Sequence, residues 1–170
     1  MDEHRREPPL VVKHSASGFR REPKELTFLL DEDVKALKSL FPRKRVKTLA
    51  QVRLKPDTPD ADIVLTAWNR GFTIVTANAD HFRKAITDRQ KRGRVGECSC
   101  LFGLVLLPTG EEVQRRLLSD LKAVERRLRF RGKAITWKDL RKKNYEVRLL
   151  RAGAPRVAEL PPPCKLPGGH

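Results

Sequence analysis

Short apolar runs alternate with amphipathic segments between residues 26 and 150, which leaves few architectures open to the chain. The predicted strands are Leu26–Leu30, Val46–Val52, Phe72–Thr76, Leu101–Leu107 and Tyr145–Leu150. The predicted helices are Asp33–Phe41, Pro59–Arg70, Asn78–Arg89 and Thr109–Arg129, the last opened by a capping box from Thr109 to Glu112. Strands that alternate with helices are typical of βαβ units with right-handed crossovers. The sequence therefore predicts an α/β fold with a mostly parallel sheet.

Composition divides the 170-residue chain into a core domain and its extensions. Residues 1–25 are polar and contain three prolines, so they are interpreted as a flexible leader. Residues 26–130 are predicted to form the domain, and residues 131–151 a basic extension that adds a strand. Residues 152–170 are rich in proline and are predicted to be a disordered tail.

Several classes of protein are disfavoured by the sequence. Cys98, Cys100 and Cys164 do not form a disulfide framework, and Cys98 and Cys100 are too close for a Cys-x-x-Cys zinc motif. The N-terminal residues lack the apolar core of a signal peptide. No apolar run approaches the ~20 residues that span a bilayer. We therefore expect a cytoplasmic protein with reduced thiols and no membrane partner.

Acidic and amide side chains follow the predicted strands or begin the helices after them. Asp31, Glu32 and Asp33 come directly after the first strand, whereas Asn78 and Asp80 follow the third strand. If the first and third strands are neighbours, Asp31 and Asp80 converge at the carboxyl edge of the sheet. A helix that begins beside this edge would deliver Asp60, with Asp62 as the alternate.

Oxygen ligands of this kind are those that Mg²⁺ or Mn²⁺ prefers. Helix capping is the alternative, and taken one at a time it is the better explanation for Asp60 and Asn78. Glu32 and Asp33 are as well explained as ordinary acids of a first helical turn as by metal binding. His81 is interpreted as a partly exposed helix residue, with phosphate contact or proton transfer as its alternative role. The metal interpretation depends on the coincidence of these acids at one edge.

Three segments, occurring in order, resemble the PIN-like domain superfamily, and within it the compact branch similar to bacterial toxins. They are Phe28–Val34, Asp60–Ala67 and Ile74–Phe82, and the resemblance covers about residues 26–107. It implies a three-layer α/β/α domain with strand order 3-2-1-4-5. It also implies hydrolysis of RNA that depends on Mg²⁺ or Mn²⁺. The implied metal-binding and catalytic acids are Asp31, Asp60 and Asp80, with Asn78 and Asp62 as further candidate ligands.

The chain departs from that pattern at two positions. Asp60 stands where many toxin-type members have glutamate, and Asn78 carries no charge. These departures leave open a second function, a weakened PIN-like module that binds RNA or a partner protein without cleavage. A receiver-like phosphoacceptor domain is disfavoured because no aspartate directly follows the third strand. The resemblance further implies an antitoxin as a protein partner, and a homodimer is the other assembly it allows.

Basic residues dominate the composition and favour a nucleic-acid partner. The formal charge is +16, and residues 111–157 hold fifteen Lys or Arg against six Asp or Glu. Such charge density attracts phosphate backbones without reading their sequence. Trp137 and Tyr145 lie within this region, where packing onto the core is slightly favoured over stacking on bases. The predicted RNA contacts are Arg83, Lys84, Arg89, Lys91, Arg92, Arg126, Arg127, Arg129 and Arg131.

Overall fold

The computed structural model describes residues 26–92, 103–136, 139, 145–152 and 154–159. Within these ranges the side chains of residues 68, 69 and 87–92 are outside the description. The predicted leader, the three cysteines and Trp137 also lie outside the described residues.

A six-stranded, mainly parallel sheet forms the centre of a mixed α/β fold. Four helices accompany it among the described residues, α1 (Asp60–Arg70), α2 (Ala79–Arg92), α3 (Glu111–Leu118) and α4 (Leu121–Arg127), together with three 3₁₀ segments, Glu32–Leu40, Arg43–Arg45 and Ala50–Val52. The strands are β1 (Thr27–Leu30), β2 (Val46–Thr48), β3 (Phe72–Thr76), β4 (Leu104–Leu106), β5 (Arg129–Phe130), β6 (Lys133–Ala134), β7 (Tyr145–Arg148) and β8 (Arg156–Glu159). Strands β5 and β6 form a separate antiparallel hairpin.

The order of the described strands is β2-β1-β3-β4-β7-β8, which differs from the order 3-2-1-4-5 that the resemblance implies. That implied order requires two strands on the outer side of the first. Here the chain after β2 forms only a 3₁₀ turn, Ala50–Val52, before α1 returns it to β3 beside β1. The expected adjacency of the first and third predicted strands is therefore confirmed, whereas the implied order is wrong for the described strands.

Alternate residues of the central strands enter two different hydrophobic clusters. Phe28 and Leu30 belong to a cluster that includes residues of the 3₁₀ helix Glu32–Leu40, α3 and α4. Leu29 and Ile74 belong to a second cluster with residues of α1 and α2. Successive side chains of a strand point to opposite faces. Both faces of the sheet are therefore covered, which explains why its strands read as continuous apolar runs.

The first predicted helix is a 3₁₀ helix, Glu32–Leu40, instead of an α-helix. A 3₁₀ helix has three residues per turn, so residues at spacings of three lie on one face. Val34 and Leu37 are fully buried and Leu40 is half-buried, which satisfies that spacing. Phe41 ends the segment with its N–H donating to the Lys38 carbonyl. The prediction identified the buried residues correctly but assigned the wrong helical period.

The single helix predicted from Thr109 to Arg129 is divided, and its predicted capping box is absent. Gly110 occupies the cap position at φ 103° without a side-chain cap. The Thr109 carbonyl instead accepts a hydrogen bond from Arg151 at 2.8 Å. Asp120 interrupts the helix and caps α4 by accepting from the Ala123 N–H at 3.0 Å. Aspartate competes well for such a position because its side chain replaces a backbone acceptor.

The helices predicted after Pro59 and Asn78 and the third and fifth predicted strands are confirmed with small changes at their ends. The predicted strand Val46–Val52 is only partly correct, because it ends at Thr48 and Ala50–Val52 forms a 3₁₀ turn. The fourth predicted strand is confirmed for Leu104–Leu106, and its first two residues lie outside the described part of the chain. Strand β3 has the predicted bounds, and Gly71 ends α1 in the left-handed conformation at φ 69°. Strand β7 lies within the predicted basic extension. Arg156–Glu159 lies within the tail that was predicted to be disordered, and these four residues instead form strand β8, which pairs antiparallel with β7. No helix in the described part of the chain is both long and apolar enough to cross a membrane.

Candidate functional site

Asp31 is the acid most firmly held by the fold. Its N–H donates to the Val75 carbonyl at 3.0 Å, which extends the pairing of β1 with β3 by one residue. One carboxylate oxygen accepts from the Glu32 N–H at 2.8 Å, and the other accepts from the Thr76 hydroxyl at 2.9 Å. The residue is only 8% exposed. Asp31 therefore caps the 3₁₀ helix Glu32–Leu40, and it is also fixed at the carboxyl edge of the sheet.

The end of β3 orients two acids at once. Thr76 is completely buried, and its hydroxyl also accepts a hydrogen bond from the Asn78 N–H at 2.9 Å. The Ala77 N–H donates to a carboxylate oxygen of Asp33 at 3.1 Å. Three consecutive residues of one segment thus form a hydrogen-bonded support for Asp31 and Asp33. Asn78 contributes its backbone to this support and remains a candidate ligand through its half-buried side chain.

The acids near this edge disturb one another electrostatically. Desolvation, followed by the negative charge of Asp31, raises the pKa of Asp33 to about 6, although the Ala77 N–H opposes the shift. Desolvation and the charge of Asp31 also raise the pKa of Asp60. Carboxylates that are close together disfavour each other's ionised form. The electrostatic group at this edge is therefore Asp31, Asp33 and Asp60.

His81 of α2 lies beside Asp60 of α1. Its Nδ1 is 3.5 Å from a carboxylate oxygen of Asp60, while 71% of the histidine side chain is exposed. A positive charge on His81 lowers the pKa of Asp60 and so opposes the effect of Asp31. The prediction of a partly exposed helix residue is confirmed, and the contact with Asp60 is an addition that sequence spacing did not give.

Asp80 and Asp62 are not brought into this group. The side chain of Asp80 is 92% exposed and lies 3.9 Å from Arg83 on the same helix. Asp62 is an exposed acid of the first turn of α1. Across the described ranges, no three Asp, Glu, His or Cys side chains are close enough together to hold a metal ion as they stand. The convergence expected for Asp31 and Asp80 is therefore absent in this arrangement of side chains.

Asp33 is the acid that sequence reasoning undervalued. The sequence explains it equally well as an ordinary acid of a first helical turn, yet its carboxylate contacts the Ala77 N–H, 44 positions away. Nothing local in the sequence distinguishes Asp33 from Glu32. Only the pairing of β1 with β3, which brings Ala77 beside the start of the 3₁₀ helix, creates the contact.

The predicted RNA-binding residues fall into different environments. Arg83 has a structural contact, because its guanidinium forms an ion pair with Glu146 of β7. Hydrogen bonding to Glu146 raises the pKa of Arg83 above its already high value. Lys84 is exposed, whereas the side chains of Arg89, Lys91 and Arg92 lie outside the description. The exposed arginines at and beyond the end of α4 are Arg126, Arg127, Arg129 and Arg131.

The slightly favoured role of Tyr145 is confirmed. Tyr145 is buried, and its ring packs edge-on against Phe130 with 5.6 Å between centroids. It therefore joins the hairpin to the sheet and is not available to stack on a base.

Comparison with protein-family models, with curated proteins and with solved structures gives no match. The assignment of function consequently depends on the geometry of the carboxyl edge and on the distribution of charge.

Proposed function

We propose that this protein is a Mg²⁺- or Mn²⁺-dependent ribonuclease of PIN-like type, with the three-layer α/β/α arrangement of that superfamily. The observation that carries the proposal is the group of Asp31, Asp33 and Asp60, in which desolvation and then the negative charge of Asp31 raise the pKa values of Asp33 and Asp60. A fold gains no stability from unneutralised carboxylates held near one another. In a chain with a formal charge of +16, retaining them at one sheet edge favours a functional role.

The donor chemistry of this group fits a hard divalent ion. Carboxylate oxygens are the preferred ligands, and the raised pKa values are the electrostatic condition that a cation relieves. Asp31, Asp33 and Asp60 would hold the ion once it draws their side chains closer together than they stand here, with Asn78, Asp62 and Asp80 as outer candidates. Once bound, the ion would shield the phosphodiester and lower the pKa of a water molecule.

The residues of the chain have separate tasks in this scheme. Thr76 fixes the orientation of Asp31 through its hydroxyl, and the Ala77 N–H fixes Asp33. His81 holds the Asp60 side chain from the neighbouring helix. In the reaction, water attacks phosphorus, the bond from phosphorus to the leaving oxygen breaks, and that oxygen takes a proton. Exposed basic side chains retain the rest of the RNA backbone.

Cleavage assays with matched variants test the proposal. Single-stranded and structured RNA are incubated with the wild-type protein in Mg²⁺, in Mn²⁺ and in EDTA. Asp31→Asn removes the central carboxylate, while Glu112→Gln removes an exposed negative charge from α3 as the control. We expect cleavage by the wild type and by Glu112→Gln only when an ion is present. Cleavage in EDTA, or undiminished cleavage by Asp31→Asn, would contradict the metal mechanism.

The role of Asp80 needs its own comparison. If Asp80 turns from Arg83 towards the ion when RNA binds, Asp80→Asn will reduce cleavage while Glu112→Gln, also in the first turn of a helix, will not. Equal activities of both variants and the wild type would remove Asp80 from the catalytic set.

A second function, binding of RNA or a partner protein without cleavage, is favoured by a separate observation. The three acids of the resemblance are not assembled, because Asp80 is exposed and faces Arg83. RNA binding by a wild-type protein that cleaves nothing with either ion would support this function instead. A toxin role, an antitoxin partner and a homodimer stay predictions of the resemblance.

A further inference from the structure

The basic hairpin of β5 and β6 is anchored at the edge of the sheet opposite the acids. Phe130 of β5 packs against Tyr145, which is the first residue of β7. Strand β7 runs parallel to β4, so Tyr145 marks the edge where the parallel strands begin. Strand β5 also contacts β8, whose last residue, Glu159, pairs with Tyr145. The hairpin therefore lies at the amino edge of the sheet.

The hairpin presents its charges to solvent. Arg129, Arg131 and Lys133 are all exposed. Its two turn residues, Arg131 and Gly132, have φ values of 49° and 79°, which are typical of the tight turn that joins twisted strands. The Arg131 guanidinium lies 5.1 Å from the centre of the Phe130 ring. Such a contact holds the guanidinium over the ring while the N–H groups at its rim stay available to an anion.

A second basic segment lies at the same edge. Arg43 and Lys44 are exposed in the 3₁₀ turn before β2. The next residue, Arg45, donates from its Nε to the Leu26 carbonyl at 3.0 Å, which fixes the turn beside the start of β1. Four strand spacings separate β2 from β7 in the sheet order. At ~4.8 Å each, the two segments are about 19 Å apart along the edge.

These segments together form what we call the amino-edge basic surface, made of Arg43, Lys44, Arg127, Arg129, Arg131 and Lys133. The described carboxylates of the same region are Glu125, Asp139 and Glu159, so the cations outnumber them two to one. Phe130 and Tyr145 pack on each other, which leaves charge and not an exposed aromatic ring as the described feature of the hairpin. This combination suits phosphates, whereas insertion at a lipid surface also needs apolar side chains.

We propose that the amino-edge basic surface binds the phosphodiester backbone of nucleic acid, independently of any ion at the carboxyl edge. Strand β3 has five residues, so the two edges are about 16 Å apart at ~3.3 Å per residue. One phosphate cannot contact both edges, so a nucleic-acid strand must run along the sheet to reach from one edge to the other. The inference goes beyond cleavage, because this contact needs neither Asp31 nor a metal.

Fluorescence anisotropy in EDTA tests this surface separately from catalysis. A labelled single strand of about 16 nucleotides is titrated over a series of salt concentrations. The variant Arg129→Gln/Arg131→Gln/Lys133→Gln is compared with Lys55→Gln/Arg116→Gln/Lys122→Gln, which removes the same charge from exposed positions elsewhere. The slope of log Kd against log salt changes by about 0.7 per phosphate contact on a single strand. We expect the magnitude of this slope to fall by about 2 in the hairpin variant, which removes three charges, and by much less in the control variant.

Additional variants and ligands separate the possible explanations of a loss of binding. Arg129→Lys/Arg131→Lys keeps the charge, so it should retain most of the wild-type slope, and circular dichroism verifies that every variant is folded. Equal slopes with DNA of the same sequence support recognition of the backbone alone. Equal losses in the hairpin and control variants would overturn the proposal, as would loss of binding to DNA. Binding to anionic vesicles but not to oligonucleotides would overturn it too. Asp31→Asn binds like the wild type if the surface is independent, whether or not the protein cleaves RNA.

Discussion

The carboxyl edge and the amino edge of the sheet differ in charge, and only part of that difference comes from the helices. Helix dipoles favour acids in first turns and cations in last turns. Helix α1 follows this rule, with Asp60 and Asp62 at its start and Arg70 at its end. A parallel sheet places all such starts at one edge and all such ends at the other.

Two features exceed what helix dipoles require. At the carboxyl edge, desolvation and then the charge of the buried Asp31 raise the pKa values of both Asp33 and Asp60. At the amino edge, the hairpin adds three exposed cations that belong to no helix. The comparison shows that ionisation of the carboxylates is disfavoured at the acidic edge, whereas the cations of the basic edge are exposed to solvent. The two should therefore respond differently to substitution, ions and pH.

The largest expected effect separates cleavage from binding. Asp31→Asn should lower RNA cleavage by about 100-fold or more, because the loss of a carboxylate ligand weakens binding of the ion that would stabilise the developing negative charge. The same variant should bind RNA in EDTA as the wild type does. The hairpin variant Arg129→Gln/Arg131→Gln/Lys133→Gln should bind RNA more weakly in EDTA. It should still cleave a substrate of about 4 nucleotides as the wild type does, because such a substrate is too short to reach both edges. Parallel losses of cleavage and binding in both variants would show that the edges are not separate.

The next effect concerns the support of the acidic edge. Thr76→Val keeps the shape of the side chain but removes the donor to Asp31 and the acceptor for the Asn78 N–H. We expect the free energy of unfolding to fall by about 2 kcal/mol, since buried polar groups lose their partners. Thr76→Ser should recover most of it. Urea denaturation measures both, and an unchanged midpoint for Thr76→Val would show that these hydrogen bonds do not matter to the fold.

The pH dependence of the free energy of unfolding distinguishes the acidic edge from the basic edge. The pKa of Asp33 rises from 3.8 to about 6 on folding, so the folded protein binds the proton more tightly. The contribution of Asp33 to stability is therefore complete below pH 3.8 and is lost as the pH rises through about 6. Above that pH, Asp33→Asn should be more stable than the wild type by about 1 kcal/mol, after allowance for solvent screening.

Thermal unfolding of both proteins between pH 4.5 and 7.5 would check this expectation. Addition of Mg²⁺ should reduce the advantage of Asp33→Asn, because a bound cation relieves the repulsion in the wild type. A stability difference that does not change with pH would contradict the electrostatic explanation.

The smallest expected effect is at the tip of the basic hairpin. Gly132 has a φ of 79° and open space around its Cα, so Gly132→Ala meets backbone strain and no clash. We expect a loss of about 1 kcal/mol in the free energy of unfolding or less. Gly132→Asn is the control, because asparagine adopts this conformation at lower cost. If the two variants are equally stable, the turn does not hold the hairpin in the conformation described.

Local pattern was sufficient for the central strands of the sheet and for several helix ends. Phe72–Thr76 consists of one aromatic residue followed by four β-branched residues, and Gly71 before it marks a left-handed cap, so both could be predicted without tertiary information. The 3₁₀ helix and the break at Asp120 were missed because spacings of three and four overlap in short segments, and because a capping aspartate also fits a helix surface. Strand β8 was missed because its stability comes from pairing with β7, which composition does not reveal.

The amino-acid sequence by itself determined the α/β class, the position of Asp31 at the end of a buried strand and the excess of positive charge. Each of these depends on neighbouring residues or on simple counts. Only the tertiary structure decided that Asp33 and not Asp80 stands with Asp31 and Asp60, and that the basic hairpin lies at the opposite edge. The composition of the acidic group and the place of the hairpin depend on which strands pair and on which side chains, far apart in the chain, come close in space. Hydrogen bonds and electrostatic interactions depend on that distance in space and not on separation along the chain.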